Sequence, residues 1–213
     1  MFLFINKPAG WTSHDVVAYI RKKYSKNIKI GHAGTLDPFA TGLLIVGVGR
    51  ESTKKLDEFK ALPKTYVATL KLGYISETFD KTGKIKPYRT TSLYHLITSS
   101  HKKISLEKIN KILNKFLGQQ KQLPPMYSAK KINGQKLYNL ARRGIKIRRK
   151  KTKIEIFEIK ILDFNYPLLK LEITCSTGTY IRTLANDIGK KLRVCAYCEE
   201  LQRTKIGEYK LEL

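Results

Sequence analysis

The chain has 213 residues, 42% of them hydrophobic, so it can bury a substantial core as one domain or as two closely fused lobes. Its 42 Lys and Arg residues against 17 Asp and Glu residues give a formal charge of +25, which favours a long polyanion as its partner. The longest apolar run, residues 43–48, is much shorter than a bilayer span, and the first residues show no positively charged n-region. We therefore expect neither a membrane span nor a secretion signal.

Nucleic acid explains this charge better than a membrane surface does, because the basic residues are spread along the chain and no segment has a large apolar helical face. A lysine excess can also reflect genome composition, so charge alone leaves the partner open. The three cysteines, Cys175, Cys195 and Cys198, cannot all pair within the chain, which suits a reducing cytoplasm. The C-x-x-C spacing lacks the further ligands that zinc requires, and we interpret these cysteines as incidental thiols.

In the first part of the chain the patterns predict a strand, a helix and two more strands. Residues 2–6 form an apolar run, and Thr12 or Ser13 can cap a helix that continues to about residue 24. Residues 43–48 are too few for a helix and predict a buried strand. Residues 64–72 alternate in polarity and predict a half-exposed strand, followed by a polar, hairpin-like stretch to about residue 86.

In the second part, Ser105 can cap a helix that ends at Gly118 and has five apolar residues on one face: Leu106, Ile109, Leu113, Phe116 and Leu117. The Asn133-Gly134 dipeptide is typical of a tight type I′ turn and leads into a short predicted helix over residues 135–143, closed by Gly144.

The remaining elements are predicted strands at 153–164 and 168–175, a helix at 179–192 capped by residues 176–178, and a strand from Leu201 onwards. Strands outnumber helices and show no regular βαβ alternation. These patterns predict an α+β fold with a mixed, mostly antiparallel sheet flanked by helices.

One loop, GHAGTLDPFATG at residues 31–42, places a single carboxylate among glycines in this basic chain. Gly31, Gly34 and Gly42 permit tight turns or a close approach of the backbone to a ligand, and Pro38 disfavours a helical conformation at Asp37. An Asp-Pro pair by itself is usually a turn. In this setting it is also the pattern of a catalytic acid presented where a polyanion would lie.

The same loop resembles, almost letter for letter, the active-site motif G-H-x-G-x-L-D-P-x-A-T-G of the TruB-type tRNA pseudouridine synthases. Further segments match that family in the same order, namely NKP at 6–8, KTY at 64–66, PPMYSA at 124–129 with residues 134–144, CSTGTYIRT at 175–183 and DIG at 187–189. The matches extend over nearly the whole chain. A single match would be suggestive, whereas this ordered set identifies the chain as a member of the family.

The resemblance implies the pseudouridine synthase fold and isomerisation of uridine to pseudouridine in tRNA, most often at position 55 of the T-loop. It implies no cofactor and no metal. In such a reaction the base leaves the sugar, turns and rejoins through C5. A nucleophile or a base toward the sugar is needed, and a carboxylate suits either role.

The resemblance also implies the site residues. Asp37, Tyr66 and Arg182 match the catalytic positions, with Arg182 pairing with Asp37 and Tyr66 stacking on the target base. His32, Tyr66, Tyr180 and Leu201 match positions around the extruded uridine. Without the resemblance, Arg182 could equally be a surface arginine. Likewise, Tyr66, Tyr180 and Leu201 could equally be ordinary core residues.

The segment from about residue 124 to 153, here called the arm, is the most basic part of the chain, with eight Lys or Arg among residues 142–153. We predict that the arm grips RNA through six cations, Arg142, Arg143, Arg148, Arg149, Lys150 and Lys151. A solvated loop is the alternative interpretation. Residues 1–213 are interpreted as a single catalytic domain without the C-terminal PUA-type module of many relatives. We also expect a monomer that binds the tRNA T-stem-loop without a protein partner.

A tRNA-binding or tRNA-folding protein on the same fold, without turnover, is the main alternative function. It predicts the loss of an active-site residue, whereas Asp37, Tyr66 and Arg182 are all present. A phosphate-binding P-loop is absent, because the glycine loop lacks the terminal Lys and Ser or Thr.

Overall fold

The elements alternate irregularly between strand and helix along the chain. The computed structural model describes residues 1–25, 27–88, 104–132 and 134–211. The strands in these ranges are β1 Phe2–Lys7, β2 Ile30–His32, β3 Thr41–Val48, β4 Lys64–Leu72, β5 Tyr74–Ser76, β6 Ile85–Pro87, β7 Gly118–Gln122, β8 Lys131–Ile132, β9 Gln135–Lys136, β10 Thr152–Asn165, β11 Leu168–Cys175, β12 Ala196–Ile206 and β13 Tyr209–Lys210. The α-helices are α1 Ser13–Arg21, α2 Arg50–Lys54, α3 Leu56–Ala61, α4 Leu106–Leu113, α5 Leu137–Arg142 and α6 Ile181–Leu192.

The main sheet has the strand order β1-β3-β12-β4-β11-β10-β7, with β2 attached to β3 and β13 to β12. Its pairs are antiparallel except for β3 with β12, which run parallel over a short stretch. The prediction of a mixed, mostly antiparallel sheet is therefore confirmed. Strands β12 and β4 lie at its centre, so residues on their shared face are sheltered by neighbours on both sides.

The largest hydrophobic cluster lies between this sheet and helices α4 and α6. Ile109 of α4 and Ile188 of α6 are fully buried in it, together with Leu70, Leu169 and Leu171 from the central strands. A second cluster packs α1 against β3. Helix α6 packs against the sheet, and Arg182 lies in its first turn.

Several predicted boundaries are confirmed. Thr12 caps α1 in a complete capping box with Asp15, and Ser105 caps α4. The two hairpin strands β5 and β6 fall within the stretch predicted as hairpin-like. Helix α1 ends at Arg21, three residues before the predicted end, because Lys22 is already its C-cap. Among the described residues, no helix is both long and apolar enough to cross a membrane.

The prediction that Gly118 caps a helix was wrong. Helix α4 ends at Leu113, a 3₁₀ turn follows over Asn114–Phe116, and Gly118 is the first residue of β7. Its φ of 80° turns the chain from the helical layer into the sheet, so the glycine has a conformational role, although a different one. Leu106 and Leu117, predicted on the apolar face, are about half exposed.

Two predicted helices begin later than expected. Residues Gln135–Lys136 pair with Lys131–Ile132 as a small hairpin, so α5 starts only at Leu137; Asn133 of the predicted turn lies outside the described residues. Helix α6 starts at Ile181 because the side chain of Ser176 does not cap it. That hydroxyl instead accepts a hydrogen bond from the backbone N–H of Glu155 at 2.8 Å and ties the segment to β10.

The final strand was predicted too short. It begins at Ala196 and not at Leu201, and it includes Cys198. Cys175, Cys195 and Cys198 are all buried and unpaired thiols. Strands β2 and β7 and helices α2 and α3 had no sequence prediction, since each is short and lacks a clear periodic pattern.

Candidate active site

The glycine loop that follows β2 is held on both sides of Asp37 by the segment between β1 and α1. The Ser13 hydroxyl, at the start of α1, accepts a hydrogen bond from the N–H of Leu36 at 2.9 Å. On the other side, the carbonyl of Pro38 accepts from the N–H of Gly10 at 2.8 Å. The carboxylate of Asp37 is therefore presented from a backbone fixed one residue before and one residue after it.

Lys7, at the end of β1, strengthens this attachment from inside the protein. Its side chain is fully buried, and Nζ donates to the carbonyls of Pro8 at 2.7 Å, Trp11 at 2.6 Å and Pro38 at 3.3 Å. Burial lowers the pKa of Lys7 to about 8. An ammonium satisfied only by backbone carbonyls acts as a structural clamp, and it brings positive charge close to Asp37.

Arg182 binds Asp37 through two parallel hydrogen bonds. Nε lies 2.7 Å from Oδ2, and Nη2 lies 2.9 Å from Oδ1. Such a fork is the strong, directional form of an arginine–carboxylate pair. The arginine side chain is 3% exposed and the Asp37 side chain 31%, so the carboxylate is the partner that remains accessible to a substrate. These two residues were predicted to pair although they are 145 positions apart in the sequence, and the structure brings them together.

The remaining donors of Arg182 are also used. Nη1 donates to the carbonyl of Thr78 at 3.0 Å and lies 3.2 Å from Oδ2 of Asp80, and Nη2 donates to the carbonyl of Tyr127 at 2.8 Å. All five N–H donors of a guanidinium are thereby directed at acceptors. Arg182 thus connects the glycine loop, the stretch between β5 and β6, and the base of the arm.

Asp80 is a site residue that the sequence analysis missed. It is 4% exposed, and its Oδ1 accepts from the hydroxyls of Thr78 and Thr82, both at 2.6 Å, and from the N–H of Thr82 at 2.9 Å. The neighbouring Phe79 has a φ of 62°, which is costly for an aromatic residue. The Thr-x-Asp-x-Thr spacing was the available signal, because hydroxyls on both sides of an Asp favour a tight turn with a fixed carboxylate.

Burial raises the pKa of the Asp37 carboxyl above its ordinary value, and the charge of Arg182 opposes that rise. Asp80 adds to the rise because it is a second negative charge nearby. On Arg182, burial acts to lower the pKa, but the two carboxylates outweigh it and raise the pKa. The site is therefore one guanidinium shared between an accessible carboxylate and a buried one.

A cavity of about 270 Å³ opens beside Asp37. Three of the residues predicted to surround the substrate line it: Tyr66 from β4, Tyr180 immediately before α6, and Leu201 from β12. Two cationic residues, Lys64 and Arg203, also line it, and Asp37 is the one acidic residue among the lining residues that the structure describes. Most of the lining is uncharged, and its cationic residues outnumber its acidic ones by two to one.

Tyr180 is held in place by a residue that the sequence analysis did not single out. Gln122, the last residue of β7, is buried, and its side-chain amide makes two hydrogen bonds to the backbone of Tyr180. Its Oε1 accepts from the N–H at 2.8 Å, and its Nε2 donates to the carbonyl at 3.1 Å. This pair fixes the start of α6 against the root of the arm, and Arg182 follows two residues later.

His32 does not line this cavity. It lies in β2 at the beginning of the glycine loop, and its ring packs edge-on against His14 with 5.4 Å between centroids. Burial and the neighbouring His14 lower the pKa of His32 to about 4, so the imidazole is neutral at pH 7. Its Nδ1 is buried without a hydrogen-bond partner in the described residues. Contact between His32 and an extruded uridine stays a prediction.

The arm leaves the sheet where Gln122 of β7 pairs with Thr152 of β10. Before returning, it contributes Tyr127, Tyr138 and Arg142 to a second cavity of about 470 Å³ next to the first. The guanidinium of Arg142 lies 5.6 Å from the centroid of the Tyr138 ring. The base of the arm is therefore part of the active-site region.

The six cations predicted to bind RNA are not alike in this structure. Arg149 is partly buried, and its Nη1 donates to the carbonyl of Pro124 at 2.7 Å, which ties the two ends of the arm together. This contact gives Arg149 a structural role. The other five are exposed: Arg142, Arg143, Arg148, Lys150 and Lys151. The described residues contain no cluster of three or more His, Cys, Asp or Glu side chains placed to hold a metal ion.

A buried arginine that aims one accessible carboxylate into a cationic, tyrosine-lined cavity defines an enzyme site that acts on an anionic substrate.

Comparison with known proteins gives the family. Residues 21–181 match the model of the TruB family pseudouridylate synthase N-terminal domain. The tRNA pseudouridine synthase B of Parabacteroides distasonis is 43% identical over 216 residues, covering 99% of this chain and 87% of that protein. The enzyme of the same name from Clostridium tetani is 45% identical over 208 residues, covering 98% of this chain and 68% of that protein.

Among solved structures, the crystal structure of a Cbf5-Nop10-Gar1 complex contains a chain with the same fold. It superposes with a TM-score of 0.72 at 27% sequence identity, covering 99% of this chain and 50% of that chain. The chain described here therefore belongs to the TruB family of pseudouridylate synthases. The predicted family, the pseudouridine synthase fold and the assignment as an enzyme are confirmed.

Proposed function

We propose that this protein isomerises uridine to pseudouridine in tRNA, at position 55 of the T-loop, as a single catalytic unit over residues 1–213. The observation that carries the proposal is the forked pair between Arg182 and the accessible carboxylate of Asp37, at the edge of a cavity lined by Tyr66, Tyr180 and Leu201. The relatives of this chain that are named tRNA pseudouridine synthase B support the substrate.

The position of Asp37 supports its assignment as the catalytic group. Glycosidic cleavage requires a group that attacks the nucleoside or removes a sugar proton, and a carboxylate must be ionised for either step. The Arg182 guanidinium aims both Asp37 oxygens and favours their charged form. Since Thr78, Asp80 and Tyr127 hold Arg182 in place, the guanidinium cannot follow the carboxylate, and a rotation of Asp37 would break both bonds of the fork. The geometry supplies orientation before the substrate arrives.

The cavity suits a single base taken out of an RNA loop. A uridine must leave its stack to expose the glycosidic bond, and aromatic side chains compensate the stacking that it loses. Tyr66 and Tyr180 provide such rings, and Leu201 provides an apolar wall. We assign Tyr66 to the face of the base, and Tyr180 and Leu201 to its remaining surroundings. His32 is assigned to the space near the extruded nucleotide.

The arm is assigned to binding the RNA backbone. Its exposed cations are Arg142, Arg143, Arg148, Lys150 and Lys151, and Arg142 extends this positive surface to the neighbouring cavity. Phosphate contacts position a nucleic acid without reading its sequence. The arm and the cavity would therefore divide the work, with affinity supplied by the arm and the choice of uridine by the cavity.

The test is to incubate the purified protein with an unmodified tRNA transcript and to map pseudouridine along it. We expect modification at position 55 and at no other uridine. A transcript with cytidine at position 55 is the matched control and should stay unmodified. Modification only at other uridines would contradict the T-loop assignment, and no pseudouridine in any tRNA would contradict the proposed substrate.

We further propose that the protein works as a monomer in the cytoplasm, without a protein partner and without a cofactor or metal. The three unpaired thiols support a reducing compartment. Sedimentation analysis of the active protein, alone and with a T-stem-loop RNA, tests this proposal. One protein chain per RNA is expected, and a two-to-one complex would contradict it.

A further inference from the structure

Arg203 of β12 is a buried arginine with no acidic partner. It is 1% exposed and ranks among the largest fully buried side chains of the described chain. No ion pair among the described residues includes it. Its positive charge even lowers the pKa of two nearby lysines, Lys7 and Lys64, in addition to their burial. A buried and unpaired charge is expensive, so its position needs a compensating role.

The hydrogen bonds of Arg203 connect two parts of the active site. Nε donates to the carbonyl of Leu43 in β3 at 2.8 Å, and Nη2 donates to the carbonyl of Gly34 in the glycine loop at 3.2 Å. Neither bond uses Nη1, which lies 3.7 Å from where a Cβ of Gly34 would be. The guanidinium thus fixes the loop three residues before Asp37.

The chain is closely packed around Arg203. Its backbone pairs with Gly42 of β3, and a Cβ on Gly42 would lie 2.2 Å from the Arg203 carbonyl oxygen. The φ of Gly42 is 103°, a value that side chains disfavour. On the other side of β12 the pairing with β4 shifts register immediately after Arg203. Irregularities of this kind re-aim a side chain, and they are common beside active sites.

The partner of Arg203 across that pairing is Tyr66. Directly opposed residues of neighbouring strands point to the same face of a sheet, and both residues line the cavity beside Asp37. Burial raises the pKa of the Tyr66 phenol, while the charge of Arg203 and a hydrogen bond from it act to lower the pKa. Arginine is a donor only, so a phenol oxygen that accepts from it must direct its own hydrogen elsewhere.

We propose that Arg203 is a positioning residue that fixes the Tyr66 hydroxyl as an acceptor on the protein side, so that its hydrogen is directed toward the bound nucleotide in the cavity. Arg203 then locks three elements into one unit: the glycine loop through Gly34, strand β3 through Leu43, and the ring that faces the substrate. Its buried charge is solvated by the carbonyls of Leu43 and Gly34. This inference rests on the proposed function, since it names how that site holds its base.

The test is a double-mutant cycle between Arg203 and the Tyr66 hydroxyl, read as the single-turnover rate at saturating T-stem-loop RNA. Arg203→Gln and Arg203→Lys are each made alone and with Tyr66→Phe, which keeps the ring and removes the hydroxyl. With stoichiometric enzyme, slow residual turnover is followed over hours. Arg50→Gln, at an exposed position outside the cavity, is the matched control and should leave the rate unchanged.

We expect Arg203→Gln to lower the rate by about tenfold to a hundredfold when Tyr66 is present, a loss in the range of a misoriented proton-handling group. In the Tyr66→Phe background the same change should cost less than about threefold, because the group that Arg203 positions is gone. Arg203→Lys keeps the charge but lacks the planar, spread donors of a guanidinium, so a smaller loss with the same background dependence is expected.

Equal losses in both backgrounds would overturn the proposal, since Arg203 would then act on the whole fold. A loss in RNA affinity alone, or no loss at all, would overturn it too. Thermal unfolding identifies a variant that fails to fold, and if Arg203→Gln does so, the cycle with Arg203→Lys decides. A wild-type protein that forms no pseudouridine would instead count against the proposed function, which separates the two failures.

Discussion

The glycine loop, which carries Asp37, and the arm both contact Arg182, but they differ in how their residues are held in place. The loop is held by hydrogen bonds between its backbone and the side chains of Ser13, which accepts, and of Lys7 and Arg203, which donate. The arm contains a small hairpin, a six-residue helix and an irregular segment, and three of its exposed cations, Arg148, Lys150 and Lys151, lie in that segment. The contrast suggests that chemistry here needs atoms fixed in advance, whereas RNA binding needs charge that can adapt to a phosphate chain.

The largest effect on turnover is expected when the carboxylate of Asp37 is replaced by an uncharged group of the same shape. Asp37→Asn should abolish turnover, because the amide is neither a nucleophile nor a base, while RNA binding survives. Tritium release from RNA labelled at C5 of uridine measures the rate. We expect a loss well above about a hundredfold, as for other lost nucleophiles. Asp57→Asn, at an exposed carboxylate of α3, is the control and should be fully active. Turnover of Asp37→Asn within a hundredfold of wild type would remove Asp37 from the mechanism.

The next largest effect is expected at the partner of Asp37. Arg182→Lys keeps the positive charge but cannot form the fork to Asp37 or reach Thr78, Asp80 and Tyr127 at once. We expect turnover to fall by about a hundredfold, the size of a small misplacement at the reacting centre. The same tritium assay applies, with Arg50→Lys as the exposed control. Near-normal rates for the lysine variant would show that the fork has no catalytic importance.

A substitution at Asp80 should lower the rate less, and it should shift the pH profile of the rate in a defined direction. Activity should fall on acidification as Asp37 takes up a proton, and Asp80 raises the pKa of Asp37. Replacing Asp80 by Asn removes a negative charge, so the pKa of Asp37 should drop and the acid limb of the rate profile should move to lower pH. At neutral pH the rate should fall by about tenfold, because Arg182 loses one of its anchors.

The pH dependence of the single-turnover rate at saturating RNA checks this prediction. Asp163→Asn, at an exposed position of β10, should leave the profile in place. An acid limb that moves to higher pH in Asp80→Asn would mean that Asp80 acts on Asp37 in some other way than through its charge.

Substitutions in the arm should change the rate of the chemical step least and should act mainly on RNA affinity. Replacing Arg148, Lys150 and Lys151 by Gln, and leaving the structural Arg149 intact, should flatten the log–log dependence of RNA affinity on salt by about two to three units. Each contacted phosphate contributes roughly 0.7 to 0.9 to that slope. Filter binding of T-stem-loop RNA across a salt series measures it.

Three exposed lysines outside the arm, Lys54, Lys55 and Lys60, serve as the charge-matched control. Their replacement by Gln should change the slope less than the arm variant does. Equal effects would mean that RNA is held by general positive charge. An unchanged slope in the arm variant would mean that these three residues are solvated and that the RNA lies elsewhere.

Much of this site could be predicted from the sequence because its key positions lie in local patterns. The glycine loop and the strand that carries Tyr66 are recognisable from a few consecutive residues each. The pairing of Arg182 with Asp37, which is remote in sequence, followed only from the family resemblance.

Of the residues that were missed, only Asp80 has a local signature, the Thr-x-Asp-x-Thr spacing. Asp80, Gln122 and Arg203 act through partners 58 or more residues away, so their roles depend on the strand order of the sheet. The predicted start of helix α6 was wrong for a similar reason. The Ser176 hydroxyl accepts a hydrogen bond from β10 instead of capping α6, and only the tertiary structure decides between those two choices.

The most direct test of the division between loop and arm is the single-turnover rate of pseudouridine formation, measured as a function of RNA concentration for wild type, Asp37→Asn and the arm triple variant. The account predicts that the arm variant reaches the wild-type maximal rate at a higher RNA concentration, while Asp37→Asn binds RNA as tightly as wild type and forms no product at any concentration. A lowered maximal rate in the arm variant, together with weakened RNA binding in Asp37→Asn, would contradict it.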